Sequence, residues 1–307
     1  MSLSIKYRPK VLDEVIGNSG TIEKLKSQVN KPTPHQSYLF YGPSGCGKTT
    51  LARILAKEFG CSDINTHEFN TSNTRGIDTI RWISEASQFV PIVGGNKLFL
   101  MDECHKLTND AQNAFLKLLE EPPGHVYFVL STTEPDKLIP TILKGRVMKF
   151  EVSPLTDKEM IYLLTKVSKE EGFSYFPPSV MKKISEMARG VPREALTLLD
   201  SILTIAPVDE SGALSILDES DFSEAQVNKI CQQILKYNWK EVSRMSDTLK
   251  GDPEQVRWAM LGYFRSVLHR NGNDAIAKIM MYFKEPYTFT GKAGLSWSCY
   301  MASRSGG

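Results

Sequence analysis

Tyr38-Leu-Phe-Tyr-Gly-Pro-Ser-Gly-Cys-Gly-Lys-Thr-Thr50 decides the fold. Its apolar opening, Tyr38–Tyr41, reads as a buried strand, the glycine-rich stretch as a loop, and Lys48 onward as the start of a helix. Gly42, Pro43, Ser44, Gly45, Cys46, Gly47, Lys48 and Thr49 have the spacing of a phosphate-binding loop. Gly42, Gly45 and Gly47 permit φ above zero, so successive backbone N–H groups can converge on an anion. The helix that follows aims the positive end of its dipole at the same place. Lys48 can reach the β- and γ-phosphates of a nucleotide, Thr49 can offer its hydroxyl to Mg²⁺, and Thr50 opens the helix beside them.

Further along, Lys97-Leu-Phe-Leu-Met-Asp102-Glu103 is an apolar strand ending in two carboxylates. Successive strand residues face opposite sides, so the two acids have different tasks. Asp102 suits Mg²⁺, held through water, and Glu103 suits polarising a water that attacks a γ-phosphate. His105 reads as a polar residue at a helix start. The other strand candidates are His67–Asn70, Val126–Ser131 and Val147–Val152, with helical patterns near 48–59, 77–88 and 109–120. This alternation predicts the α/β class: a parallel sheet with helices on both faces and ligands beyond the strands' carboxyl ends.

After Ser153-Pro154 the pattern turns helical. Residues 156–205 read as three short helices broken at Gly172–Pro178 and Gly190–Pro192, with Thr156 and Glu159 spaced as a capping box. The acidic, weakly periodic stretch 207–221 reads as a linker, and 222–250, 253–270 and 273–284 as further helices. The last residues, rich in Gly, Ser and Tyr, give no pattern. The expected division is an α/β domain at 1–153, a helical lid at 154–206, the linker at 207–221 and a helical domain at 222–307.

Composition narrows the function. The 307 residues are 41% hydrophobic and 23% charged, which argues against a mostly disordered chain. A net charge of +2 argues against a wholly basic nucleic-acid coat but leaves room for a local basic face. No apolar run approaches the ~18 residues of a membrane span, so no membrane partner is expected. The first residues lack a secretory signal. The five cysteines are dispersed without a CxxC pair, which fits a reducing cytosol and predicts neither a zinc ribbon nor a disulfide framework.

With these motifs in order, residues 5–205 resemble the AAA+ ATPases, and among them the clamp-loader subunits: the small subunits of replication factor C, the bacterial gamma/tau type and phage loaders. Tyr7-Arg8-Pro9 followed by Asp13-Glu14-Val15-Ile16-Gly17 matches the family box that lines the adenine pocket. Asp102-Glu103-Cys104-His105 matches the Walker B box. Asn113–Pro123 is similar to the bacterial version, and Arg75–Arg81 to the replication factor C version. The resemblance implies ATP and Mg²⁺ as cofactors, with Thr133 sensing the γ-phosphate and Arg193 reaching the phosphates from the lid. It makes Arg146, or Lys144 beside it, the arginine finger offered to a neighbouring subunit. Here this sequence departs from the family's Ser-Arg-Cys, with one residue inserted. The bacterial zinc module is also missing, since only Cys61 lies in that region, so no zinc is expected.

For partners, the resemblance implies primer–template DNA held by its backbone without sequence specificity, other loader subunits in a pentamer, and a ring-shaped sliding clamp. Arg75 and Arg81, at a helix start preceded by Thr71–Thr74, are the DNA-contact candidates, and phosphate contacts commonly use such residues. Gln112 would couple bound DNA to Glu103. Trp239, Trp258, Tyr263, Phe264, Met280, Met281 and Phe283 belong to the core or to a subunit interface of the collar. The implied function is a DNA-stimulated ATPase subunit of a clamp loader, active in an oligomer. It would act in the cytoplasm (the nucleoid, or a host cytoplasm if viral), or in the nucleus if eukaryotic. The rivals are a non-hydrolysing stator of the same loader and another AAA+ DNA motor, such as a branch-migration helicase.

Overall fold

Strand and helix alternate here because short apolar runs are separated by amphipathic ones. The computed structural model describes residues 2–92, 95–173, 176–204, 210–220, 224–249, 252–272, 274–287 and 290–305. Two compact units divide the chain, Met1–Pro207 and Val208–Gly307. The first runs α1 (Leu3–Lys6), α2 (Ser19–Val29), β1 (Ser37–Tyr41), α3 (Lys48–Glu58), β2 (Cys61–Asn70), α4 (Ile77–Ser87), β3 (Asn96–Asp102) and α5 (Asn109–Glu120). It continues with β4 (Val126–Thr132), α6 (Pro140–Leu143), β5 (Met148–Glu151), α7 (Asp157–Glu170), α8 (Pro178–Ala188) and α9 (Pro192–Leu203).

The strands form one parallel sheet in the order β2-β3-β4-β1-β5. Period-two alternation sorts the core onto its two faces. Phe40, Leu98, Leu100 and Val129 pack with Leu51 and Leu55 of α3. Leu39, Phe99, Met101 and Phe128 pack with Ile83 of α4 and Phe115 of α5. Burial on both faces is why these strands read as continuous apolar runs. The same alternation carries Asp102 to the side of Leu98 and Leu100, where α3 and its Thr49 lie.

Strand β2 begins at Cys61, ahead of the expected His67, with an irregular register between Cys61 and Thr66. It is an edge strand, and its polar start (Ser62, Asp63, Asn65) is what an edge tolerates and what hid it from the apolar pattern.

The three helices expected over 156–205 appear at the expected breaks. Thr156 and Glu159 form the capping box: the Glu159 N–H donates to Thr156 Oγ1 at 3.4 Å and the Thr156 N–H to Glu159 Oε2 at 2.8 Å. Pro178 and Pro192 open α8 and α9. Gly190, at φ +80°, is required before α9, because a Cβ there would stand 2.6 Å from the Leu155 carbonyl oxygen.

In the second unit the expected linker at 207–221 is corrected: it contains α10 (Glu210–Ser220), with Ala213 and Leu217 buried one helical turn apart. Acidic and serine residues masked that spacing. The unit continues with α11 (Glu224–Leu235), α12 (Trp239–Asp247), α13 (Pro253–Asn271), α14 (Asp274–Tyr282) and α15 (Gly291–Arg304). Helix α15 occupies the unread tail. Its glycines and serines lower helix propensity, and burial of Leu295, Cys299 and Ala302 along one stripe overrides it. Phe264 and Phe283 are core, whereas Trp258 (63% exposed) and Met281 (71%) face outward. Among the described residues no helix is long and apolar enough to cross a membrane.

Candidate nucleotide site

The loop between β1 and α3 has a shape only glycine allows. A Cβ on Gly42 (φ +143°) would lie 2.1 Å from the Val152 carbonyl oxygen, and one on Gly45 (φ +76°) 2.6 Å from Val191 Cγ1. Gly47 (φ +105°) has no neighbour within 4 Å of a Cβ position, so its backbone faces open space. Lys48 is buried and donates to the carbonyls of Gly42 and Pro43, each at 2.8 Å. Burial pushes its pKa down, against the pull of Glu103 and Asp102. Burial likewise pushes the Cys46 thiol up.

Asp102 is fixed from several sides. Thr49 Oγ1 donates to its Oδ2 at 3.1 Å, while Ser131 Oγ and, at 3.0 Å, the Glu103 N–H donate to Oδ1. Glu103 leaves the strand in the left-handed region, φ +54°, a conformation costing a non-glycine residue of order 1 kcal/mol. Its Oε2 accepts from Thr133 Oγ1 at 3.3 Å. The two acids therefore differ in surroundings as strand geometry predicts.

Arg8 before α2 and Arg193 at the start of α9 close a cavity of about 190 Å³ with Ser44, Lys48, Thr49 and Asp102. Burial lowers the Arg8 pKa first, and the nearby charges of Arg53 and Arg193 add to it. Such cationic crowding is relieved by an anion. A neighbouring cavity of about 370 Å³ has a mixed lining, in which Tyr7, Pro9, Ile16, Leu163 and Leu196 give the apolar surface a base needs and Arg8, Lys166 and Arg193 add charge. Gly17 (φ +74°) shapes its wall, since a Cβ there would stand 2.5 Å from Leu155 Cδ2. Lys6, on α1, bonds Glu171 just past α7 at 2.6 Å. The residues fit Mg²⁺-nucleotide: hard oxygens on Thr49 and Asp102 for the ion, cations for the phosphates, apolar walls for the base.

The remaining expected residues lie elsewhere. Arg146 precedes β5, at the amino end of the sheet and so opposite the phosphate loop. It donates through Nε and Nη2 to Glu120 Oε1 (2.7 Å from Nε) and through Nη1 to the Thr141 carbonyl at 2.7 Å. Lys144 lines the same recess. Arg75 and Arg81 are exposed, and Arg81 donates to Asp78 at 2.9 Å. Gln112 is buried, donating to the Leu107 carbonyl at 3.2 Å and accepting from the Ile139 N–H at 2.9 Å, with no bond to Glu103. Sequence reading missed Arg53 and its partner Glu68 at the cavity edge, Ser131 on Asp102, Glu120 on Arg146, and the buried setting of His105. Only Ser131, adjoining the Thr132-Thr133 motif, carried a signal.

Known proteins resemble the chain in sequence and in fold. Residues 62–156 match the family described as DNA polymerase III, delta subunit. DNA polymerase III subunit gamma/tau of Mycobacterium bovis is 31% identical over 247 residues, 72% of this chain and 42% of that protein. The tau subunits of Salmonella typhimurium and Bacillus subtilis are each 29% identical, over 87% and 85% of this chain and 44% and 50% of theirs. The chain thus spans about half the length, or less, of these relatives. In fold it is similar to Thermotoga maritima RuvB, a Holliday junction branch migration motor, with TM-score 0.60 at 21% identity over 75% of this chain and 79% of that one. That likeness is of architecture alone. Sheet order, phosphate loop and relatives converge on one likeness: the chain resembles the DNA polymerase III gamma/tau subunits, clamp-loader ATPases of the AAA+ type.

Proposed function

We propose that the chain is an ATP-hydrolysing subunit of a DNA polymerase sliding-clamp loader. The observation that carries this reading is the pairing of Thr49 with Asp102 at 3.1 Å beside a separately held Glu103. Lys48, Arg8 and Arg193 would hold the phosphates, and Thr49 with Asp102 would hold Mg²⁺, which supplies Lewis-acid neutralisation of the phosphate charge. Glu103 would take the proton of the attacking water, with Thr133 orienting it.

Arg146 cannot serve its own chain's nucleotide from the opposite end of the sheet, so it would act on a neighbouring subunit's. The reading therefore includes an oligomer, with a pentamer as its expected form, and collar contacts from the second unit. Arg75 and Arg81 would contact the backbone of primer–template DNA, giving strong salt dependence. DNA would stimulate hydrolysis and release the closed clamp. Gln112 supports that link differently from its expected contact: it ties the turn after β3 to the segment after β4, whose ends carry Glu103 and Thr133. Trp82, midway along α4, and Phe89, Val90 and Ile92, just after it, are exposed and offer apolar surface to a protein partner such as the clamp. Action in the cytoplasm fits the bacterial relatives. The domain division follows the same reading, with the lid at 154–206 closing on nucleotide.

The test is steady-state ATP hydrolysis with and without primer–template DNA at low and high salt, then clamp loading by an assembly whose ATPase subunits all carry Lys48→Ala. Turnover that rises with DNA and loading lost in the variant are expected. Retained loading would overturn the reading. Tight nucleotide binding without turnover in any assembly would favour the stator.

A further inference from the structure

His105 is the buried titratable group that the proposed chemistry leaves without a task. Its side chain is 2% exposed, in the single turn Cys104–Lys106 that follows Glu103. Three oxygens surround the ring. Nδ1 stands 3.0 Å from Thr132 Oγ1 and 3.4 Å from Glu103 Oε2, and Nε2 stands 3.2 Å from Glu134 Oε1. The Glu134 N–H in turn donates to Thr132 Oγ1 at 3.0 Å, and Lys137 pairs with the other Glu134 oxygen at 2.7 Å.

We propose that His105 is a positioning residue for Glu103, fixing its Oε2 against the end of β4 so that Oε1 is presented to the water. The inference rests on the ATPase reading above. Proton counting supports it. A neutral imidazole carries one N–H and here lies between two carboxylates. With the proton on Nδ1 the ring donates toward Thr132 and Glu103. With the proton on Nε2 it donates to Glu134, and a lone pair faces Glu103. Lys137 holds Glu134 through its other oxygen, and the Glu134 side chain is 45% exposed, so water can serve its Oε1 and the ring proton goes to Nδ1. The ring thereby links the Thr132–Lys137 segment, which also holds Thr133, to the carboxylate that Thr133 contacts. A carboxylate free to swing by an ångström can cost about 10²-fold in rate.

Burial pushes the ring's pKa below its usual value, against the pull of Glu103 and Glu134 and with that of Lys106 and Lys137, so the neutral ring is the working form. As pH falls the ring gains a second proton and donates to both carboxylates, and the rate falls.

The experiment compares wild type, His105→Leu, His105→Gln and Thr132→Val as full-length chains in the DNA-stimulated ATPase assay. Fluorescent ATP-analogue binding and the pH–rate profile are measured alongside. His105→Leu and Thr132→Val should each lower kcat about tenfold or more, with nucleotide Kd unchanged within about twofold. His105→Gln, which keeps a donor, should recover most of the loss and flatten the acid limb of the profile. An unchanged kcat in Thr132→Val, or a His105→Gln variant no better than His105→Leu, would overturn the proposal. A wild-type chain that binds nucleotide and never turns over would overturn the ATPase reading itself, and the positioning role with it.

Discussion

The two ends of the parallel sheet handle positive charge in opposite ways. At the carboxyl end, Lys48 is turned onto loop carbonyls, and Arg8 and Arg193 face a cavity without an ion-pair partner among the described residues. At the amino end, Arg146 spends its donors on Glu120 and the Thr141 carbonyl. Exposed ion pairs contribute little to stability, so the Arg146 pair is better understood as storage of a side chain than as a staple. The carboxyl end is preset for an anion. At the amino end the Arg146 charge is already paired and is freed only when a competing anion draws it from Glu120.

The largest effect that would break this comparison is Arg146→Ala. An arginine donated to a transferring phosphoryl group is worth about 10³–10⁵ in rate. Hydrolysis by the assembled protein should fall in that range while nucleotide binding by the single chain stays unchanged. Equal loss from Lys144→Ala, with Arg146→Ala silent, would move the finger to Lys144. Lys48→Ala should remove about 10²–10³ in hydrolysis and weaken nucleotide binding as well, because its ammonium acts on the bound ground state too. Equilibrium binding with a fluorescent analogue separates the two ends: a weakened Kd belongs to the carboxyl end and an unchanged one to the amino end.

A smaller effect tests the surface between. Arg81→Ala removes an exposed cation from α4, and the slope of log K against log salt for primer–template binding should fall by about one. An unchanged slope would leave Arg81 as a partner of Asp78 only.

What was legible in the sequence follows the same division. The carboxyl end was readable because its chemistry is local: Gly42–Thr49 is one turn, and Asp102-Glu103 one strand end. The central strands were readable because burial on both faces leaves no polar residue to break the run. Strand β2 was readable only in its second half, since an edge keeps polar residues. The amino end was not readable, because Glu120 meets Arg146 through packing of α5 beside α6, which no spacing encodes. The same holds for His105, whose partners at 132 and 134 sit on another strand's end. Helices α10 and α15 were missed where acidic, Ser and Gly residues lowered local propensity and tertiary burial supplied the stability.

The smallest effect concerns helices α7 to α9, of which α7 and α9 line the cavity beside the phosphate loop. Thr156 caps α7 directly after β5, and its loss leaves an orphan N–H at the first turn. Thr156→Ala should cost about 1 kcal/mol, which for a unit of this size lowers Tm by about 2–4 °C. Because α7 walls the base cavity and packs with α9, which carries Arg193, nucleotide affinity should weaken slightly. The Arg146 contribution in an assembly saturated with nucleotide should not change. A double-mutant cycle with Glu159→Ala reads the cap itself, since the two residues satisfy each other's backbone N–H groups and their losses should be less than additive. Additive losses would mean that Glu159 acts mainly by packing under Gly17, where its carboxyl lies 3.2 Å from the position of an added Cβ. Helix α7 would then be fastened through the loop before α2 rather than through its own first turn.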